Sequence, residues 1–168
     1  MNTETCPSCG AVTPVSGVGA THRYLLSSPG CWAAYGELLA REYGDMLYMS
    51  AHALTVDAYA AQHPGEKGPQ TISSINVHLA SLLAYFEQGV PLAELATLKQ
   101  RLVQRKHRFE WLDPPDQLGE VTITDVLAAT DAQSHVTLVK DWARAAFEAW
   151  GAYHGTIRSL LAEAALAS

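Results

Sequence analysis

Cysteine is scarce in this chain and confined to one end. Three residues among 168, Cys6, Cys9 and Cys31, are too few and of the wrong parity for a disulfide framework. Charge is scarce too. Asp, Glu, Lys and Arg make up 17% of the chain, below the ~25% of an average soluble domain, which argues against disorder and for a large buried or contact surface. Basic residues are outnumbered 11 to 17, giving a net charge of −6. The broad basic face of a nucleic-acid binder is therefore missing, which argues against that class of partner. No apolar run reaches the ~18 residues of a membrane span. The opening Met1–Cys6 lacks the basic and apolar regions of a signal peptide, so a cytoplasmic location with no membrane partner is expected. There is no Gly-x-Gly-x-x-Gly, Walker loop, nucleophile elbow or His-Glu-x-x-His, which argues against nucleotide-dependent and common hydrolase chemistry.

Helix signals fill most of what remains. Ser28-Pro29 is a capped helix start and Gly44 a stop. Further helices are expected from Asp45 to His63, where Pro64-Gly65 ends the run, from Gln70 to Gln88, and from Pro91 to about Arg108. Residues 109–121 read as a loop, Thr122–Asp125 as a capped start, and 133–166 as an Ala-rich helical stretch interrupted at Gly151 and Gly155. Strand alternation is absent, and residues 1–27 carry no helical period. The expectation is one all-α domain over 1–168, a helical bundle (31–168) carrying an irregular N-terminal zinc-binding lobe (1–30).

The lobe holds the clearest chemical signal. Cys6-Pro7-Ser8-Cys9-Gly10 is a Cys-x-x-Cys knuckle, in which two thiolates share one ion and glycine relieves the tight turn. Cys31 falls in the first turn of a helix, where free amides favour a thiolate. His22 lies within reach between them. Cys6, Cys9, His22 and Cys31 form a closed four-ligand set of the type structural Zn2+ prefers, with Glu37 a distant substitute. A redox pair at Cys6 and Cys9, with Cys31 an activated thiol, is the rival, although the strand–helix context of thioredoxin-like chemistry is not visible; three unconnected thiols are the plain alternative.

These residues also carry a resemblance. Cys6-Pro7-Ser8-Cys9-Gly10, His22-Arg23-Tyr24, Ser28-Pro29-Gly30-Cys31-Trp32 and Leu54-Thr55-Val56-Asp57-Ala58-Tyr59-Ala60-Ala61-Gln62-His63-Pro64-Gly65 resemble a family of short, uncharacterised bacterial proteins. The likeness continues through Val77-His78-Leu79, Trp111–Pro115 and the Trp142/Trp150/His154 region. It implies a bacterial origin and little chemistry.

Seven histidines suggest a second site. His52, His78 and His154 each fall on a core-directed stripe of a different helix. In a hairpin turning at Pro64-Gly65, His78 lies within about one turn of His52 and Asp57, whereas His63 is about 12 Å away. His52, His78 and His154 are therefore candidate ligands of a second divalent metal with an open water position, and Asp57 is placed to orient one of them. The arrangement is faintly similar to the three-histidine sites of DinB-like four-helix proteins. The alternatives are core histidines with local partners, or a metal-free polar pocket.

Two smaller features stand out. Lys99, Arg101, Arg105, Lys106 and Arg108 gather five of the eleven basic residues, as an anion site or, more simply, a solvated helix face. The Trp111–Pro115 loop is rigid enough to cover a pocket mouth. Two functional classes follow. One is a zinc-binding helical module for a small molecule or protein partner, oligomerisation included. The other is a metal-dependent hydrolase or transferase using catalytic candidates His52, Asp57, His78 and His154.

Overall fold

In a computed structural model, residues 2–16, 19 and 21–166 are described. The lobe expected to be irregular opens instead with a small antiparallel ribbon, β1 (Thr3–Thr5) and β2 (Val12–Pro14), with Thr3 opposite Pro14 and Thr5 opposite Val12. Three residues a strand are too few to show an alternating pattern in sequence. The cysteine knuckle closes the ribbon. Cys6 N–H donates to the Ala11 carbonyl at 2.8 Å and Gly10 N–H to the Cys6 carbonyl at 3.0 Å, with Gly10 at φ 77° in the left-handed region.

Helix α1 (Pro29–Gly44) starts where its cap predicts, the Ser28 hydroxyl accepting from Cys31 N–H. Its first turn lies on the ribbon. A Cβ on Gly30 would come within 2.4 Å of the Pro14 carbonyl oxygen, and the Glu4 carboxylate accepts from Gly30 N–H. The helix expected over 45–63 is two pieces, α2 (Met46–Met49) and α3 (His52–Gln62). The Asp45 carboxylate caps Leu47 N–H and the Ser50 hydroxyl donates to the Leu47 carbonyl, so local side chains satisfy the backbone of a short turn.

The rest runs α4 (Pro69–Gln88), stopped by left-handed Gly89, α5 (Leu92–Val103), α6 (Ile123–Leu127), α7 (Ala132–Ala149) and α8 (His154–Leu166). One expected helix is shorter than its pattern: the basic run beyond α5 is a 3₁₀ turn at Lys106–Arg108. The interruption expected at Gly151 is a second such turn at Gly151–Tyr153 between α7 and α8, whereas Gly155, expected to interrupt the last stretch, lies within α8. At that second break Trp150 is fully buried and donates its indole N–H to the Ala61 carbonyl at 3.0 Å. The Thr122/Asp125 capping box opens α6 as its sequence indicates.

Helix α3 is the central element. It packs mainly on α7 and α4, and from Leu54 to Gln62 every residue but Val56 is buried. A helix enclosed on all sides has no polar stripe, and so reads weakly as amphipathic. Leu54, Ala58 and Tyr59 meet Ile75, Leu79 and Leu82 of α4 and Val139, Trp142 and Ala146 of α7 in one core. Among the described residues, no helix is long and apolar enough to cross a membrane.

The Gln62 amide in this core is fully bonded. Gln62 donates to the Leu118 and Val121 carbonyls at 2.9 and 2.8 Å and accepts from the Trp142 indole at 2.6 Å. Gln62→Leu keeps the bulk and strands two carbonyls and an N–H, each costing about 1–3 kcal/mol when buried. Urea denaturation should show a loss of about 3 kcal/mol or more; a loss within about 0.5 kcal/mol, the range of ordinary surface changes, would mean the amide anchors nothing.

Candidate metal centre and histidine pocket

Ligand atoms of Cys6, Cys9, Cys31 and His63 all lie within 4.8 Å of one another. The knuckle supplies two sulfurs, the first turn of α1 the third, and the residue just past α3 the imidazole. All four side chains are buried, Cys31 and His63 completely. Cys31 Sγ is 3.8 Å from Cys9 Sγ and 3.3 Å from His63 Nε2. His63 Nδ1 donates to the Tyr59 carbonyl at 2.7 Å, which fixes the ring tautomer and leaves Nε2 with a lone pair facing the sulfurs. The Tyr59 ring stacks on His63 at 3.9 Å, and its hydroxyl lies 3.7 Å from Cys31 Sγ.

The charge state of the sulfurs points the same way. Thiols of Cys31 and Cys9 donate to Cys6 and pull its ionisation far down. Sharing that proton with Cys6, then with Cys9, and burial after that, push Cys31 far up. Cys9, drawn down by Cys31 but pushed back by Cys6 and by burial, ends at about 12. Three buried sulfurs in contact cannot all be thiolates without a cation between them. The donor set can hold a metal ion, and four sulfur and nitrogen donors are the number a tetrahedral ion takes.

Three of the four expected ligands are thus brought together, and His63 rather than His22 stands at the fourth corner. His22 is only half-buried, its ring edge-on to Tyr24 at 4.3 Å and tilted on Trp32 at 5.3 Å. The chain carrying it passes outside the cluster: Leu26 N–H donates to the His63 carbonyl at 3.2 Å, and Leu25 pairs with Pro64. Glu37 is exposed on α1. His63 had a signal, since a histidine one turn beyond Tyr59 and directly before Pro-Gly must leave the helix axis at its end. Sequence spacing weighed it only against the inner histidines.

The expected convergence of His52, His78 and His154 is not found. His52 Nδ1 meets the Glu42 carboxylate at 2.7 Å, and its Nε2 lies 3.3 Å from the Tyr43 hydroxyl. His78 Nδ1 meets Asp57 Oδ1 at 2.7 Å. His154 donates from Nε2 to the Phe147 carbonyl at 2.9 Å and stacks on the Phe147 ring. Each ring turns to the helix beside it. Among the described residues, the cysteine cluster is the one group whose donors meet a metal's spacing.

Two buried carboxylates organise His52 and His78 instead. Glu42, which the sequence reading missed although it extends the Tyr35–Leu38 face of α1, receives His52, Thr55 and fully buried His135. Asp57 receives His78, Ser81 and Lys99, the last at 2.7 Å, and so orients a histidine as expected. Lys99 is drawn out of the basic cluster, and Arg108 pairs with Glu163. His78 lines a pocket of about 250 Å³ with Tyr24, Gln70, Ser73, Ser74, Val77 and Val103. The Trp111–Pro115 loop does not cover it; that loop borders a separate groove of about 400 Å³ with Pro7 and Pro64 beside the knuckle.

Fold and site together define a helical bundle with an N-terminal ribbon pinned through a Cys3His cluster. Residues 4–151 match the model of the family of unknown function DUF5946, and the chain belongs to that family. No curated protein and no solved structure matches it.

Burial raises the Asp57 carboxyl, but hydrogen bonds and charge from His78 and Lys99 outweigh it and hold the group below its usual 3.8. Its ionised form therefore stabilises the fold fully above that value, and the contribution is lost as pH falls through the lower folded value. Wild type should lose its stability advantage over Asp57→Asn as pH drops below about 4. A constant difference between pH 6 and pH 2 in denaturant titrations would contradict the assignment.

Proposed function

We propose that the protein is a zinc-stabilised helical module that binds a small molecule in the pocket bordered by His78. Zn2+ is held by Cys6, Cys9, Cys31 and His63 in a structural role, because three thiolates and an imidazole leave no position for water or substrate. The observation that carries this reading is the buried convergence of three sulfurs with an imidazole nitrogen whose tautomer is already fixed for ligation. A metal-dependent enzyme would need a second ligand set, and the inner histidines go to separate partners.

The metal also bears on the pocket. His63 holds Leu26 through its carbonyl, and two residues earlier in the chain Tyr24 forms part of the pocket wall. Pinning the knuckle to the end of α3 therefore positions one side of the cavity. The remaining walls come from α4 and the end of α5, so the site lies between a metal-held loop and rigid helices. Small-molecule sites favour such concave junctions.

Metal analysis of purified protein should give one zinc per chain. His63→Ala and Cys9→Ser should each release it and lower the melting temperature by about 10 °C or more, since structural zinc contributes several kcal/mol of folding energy. His22→Ala should retain the zinc. Zinc kept by His63→Ala and lost by His22→Ala would reverse the ligand assignment. For the pocket, ligand-observed NMR with a panel of small neutral amides, esters and alcohols should detect binders that Ser74→Trp abolishes while its zinc content stays at one. Binding unchanged by that substitution would remove the pocket from the reading.

A further inference from the structure

We propose that Asp57 and His78 form a metal-free general-base dyad that promotes attack of water on a small neutral acyl compound, an ester or activated amide, bound in the His78 pocket. The inference rests on the small-molecule reading of that pocket and adds chemistry to it.

Orientation is the first support. Asp57 is fully buried, ionised, and accepts the His78 Nδ1 proton at 2.7 Å. With Nδ1 committed, the neutral ring has its lone pair on Nε2, and Nε2 has no hydrogen-bond partner among the described residues. The His78 side chain is 19% exposed and borders the pocket. A base must be accessible to the proton it takes while a second group fixes its ring, and both conditions hold here.

Charge balance is the second support. Lys99 lies 2.7 Å from the same Asp57 oxygen that His78 uses, and Ser81 donates to the other oxygen. The carboxylate thus has its countercharge in lysine and does not need the imidazole to be a cation. Asp57, Lys99 and Ser81 face His78 from α3, α5 and α4; Tyr24, Gln70, Ser73 and Ser74 line the pocket and bring no carboxylate, ammonium or guanidinium group.

The lining sets the ligand class. Hydroxyls of Ser73 and Ser74, the Gln70 amide and the Tyr24 phenol supply polar contacts, and Val77 and Val103 supply apolar ones. No Asp, Glu, Lys or Arg lines the cavity among the described residues, which disfavours an anion or a metal-bound substrate. A cavity of about 250 Å³ admits a small molecule. In the proposed step Nε2 takes a proton from water as the water oxygen bonds to the acyl carbon. The bond from that carbon to the leaving oxygen or nitrogen then breaks, the leaving group carries away the electron pair, and the imidazolium returns its proton to the leaving group or to solvent. No redox partner or co-reactant is needed.

The test uses p-nitrophenyl acetate as the probe and zinc-loaded, full-length protein. Wild type should release p-nitrophenolate, and His78→Gln should lower the rate by about 10²-fold, the lower end of a general base's contribution, with zinc content unchanged and the fold retained at the assay temperature. Asp57→Asn, a positioning change, should lower kcat with KM little changed, a split that a merely structural role would not produce. A His78→Gln rate within about twofold of wild type, far short of what a general base supplies, overturns the proposal. Fragment binding blocked by Ser74→Trp, with no His78-dependent turnover, overturns the dyad and leaves the binding reading standing. Loss of both results overturns both.

Discussion

The proline stop at the end of α3 is the constraint on which the rest of the structure depends. Pro64 has no N–H and ends the helix inside the protein, so the last carbonyls of α3 need donors from elsewhere. They get them from distant parts of the chain. Trp150 donates to Ala61, the Ser8 hydroxyl to Gln62 at 2.8 Å, and Leu26 N–H to His63. The Gln62 side chain adds the 118–121 loop and Trp142. One buried helix end thereby fixes the ribbon, the return loop, the long loop and the junction of the last two helices. His63, at that same end, faces the sulfurs because Tyr59 holds its other nitrogen. The candidate metal centre is one more consequence of where α3 stops.

The two buried carboxylates show how similar parts acquire different roles. Each receives three donors, which keeps a desolvated charge tolerable. Asp57 has a lysine beside it, so its charge is balanced whatever the state of His78. Glu42 has two histidines and a threonine, and His135 Nδ1 beyond it is buried with no partner among the described residues. The Glu42 group joins α1, α3 and α7 and functions as a tie within the bundle. The Asp57 group joins α3, α4 and α5, and its histidine borders a cavity.

Much of this was legible in the sequence because local rules sufficed for it. Ser28-Pro29, Gly89 and the Thr122/Asp125 box mark element ends through their own backbone chemistry, and those ends stand close to where they were expected. The knuckle and Cys31 carry their spacing with them. The misread parts depend on tertiary contacts. A ribbon of three-residue strands has no periodicity to detect, and the break at Ser50–Ala51 follows from the Ser50 hydroxyl bonding to the Leu47 carbonyl. The choice between His22 and His63 was decided by loop direction. A gap of twelve residues permits His22 to return to the sulfurs, but the chain uses that length to run along His63 and Pro64 instead. The three inner histidines occupy the expected helices, but hairpin arithmetic fixes height along an axis and leaves rotation open.

Separation of metal from pocket is the consequence with most functional weight. The cluster's donors come from the knuckle, the first turn of α1 and the residue just past α3, whereas the pocket is walled by α4, the end of α5 and Tyr24 of the return loop. Tyr24 is the one lining residue contributed by the N-terminal segment, and its backbone is tied two residues later to the His63 carbonyl. Were an ion held by the cluster, its loss would free one wall of the cavity at Tyr24, while Asp57, His78 and Lys99, hydrogen-bonded across three helices of the core, would keep their mutual geometry.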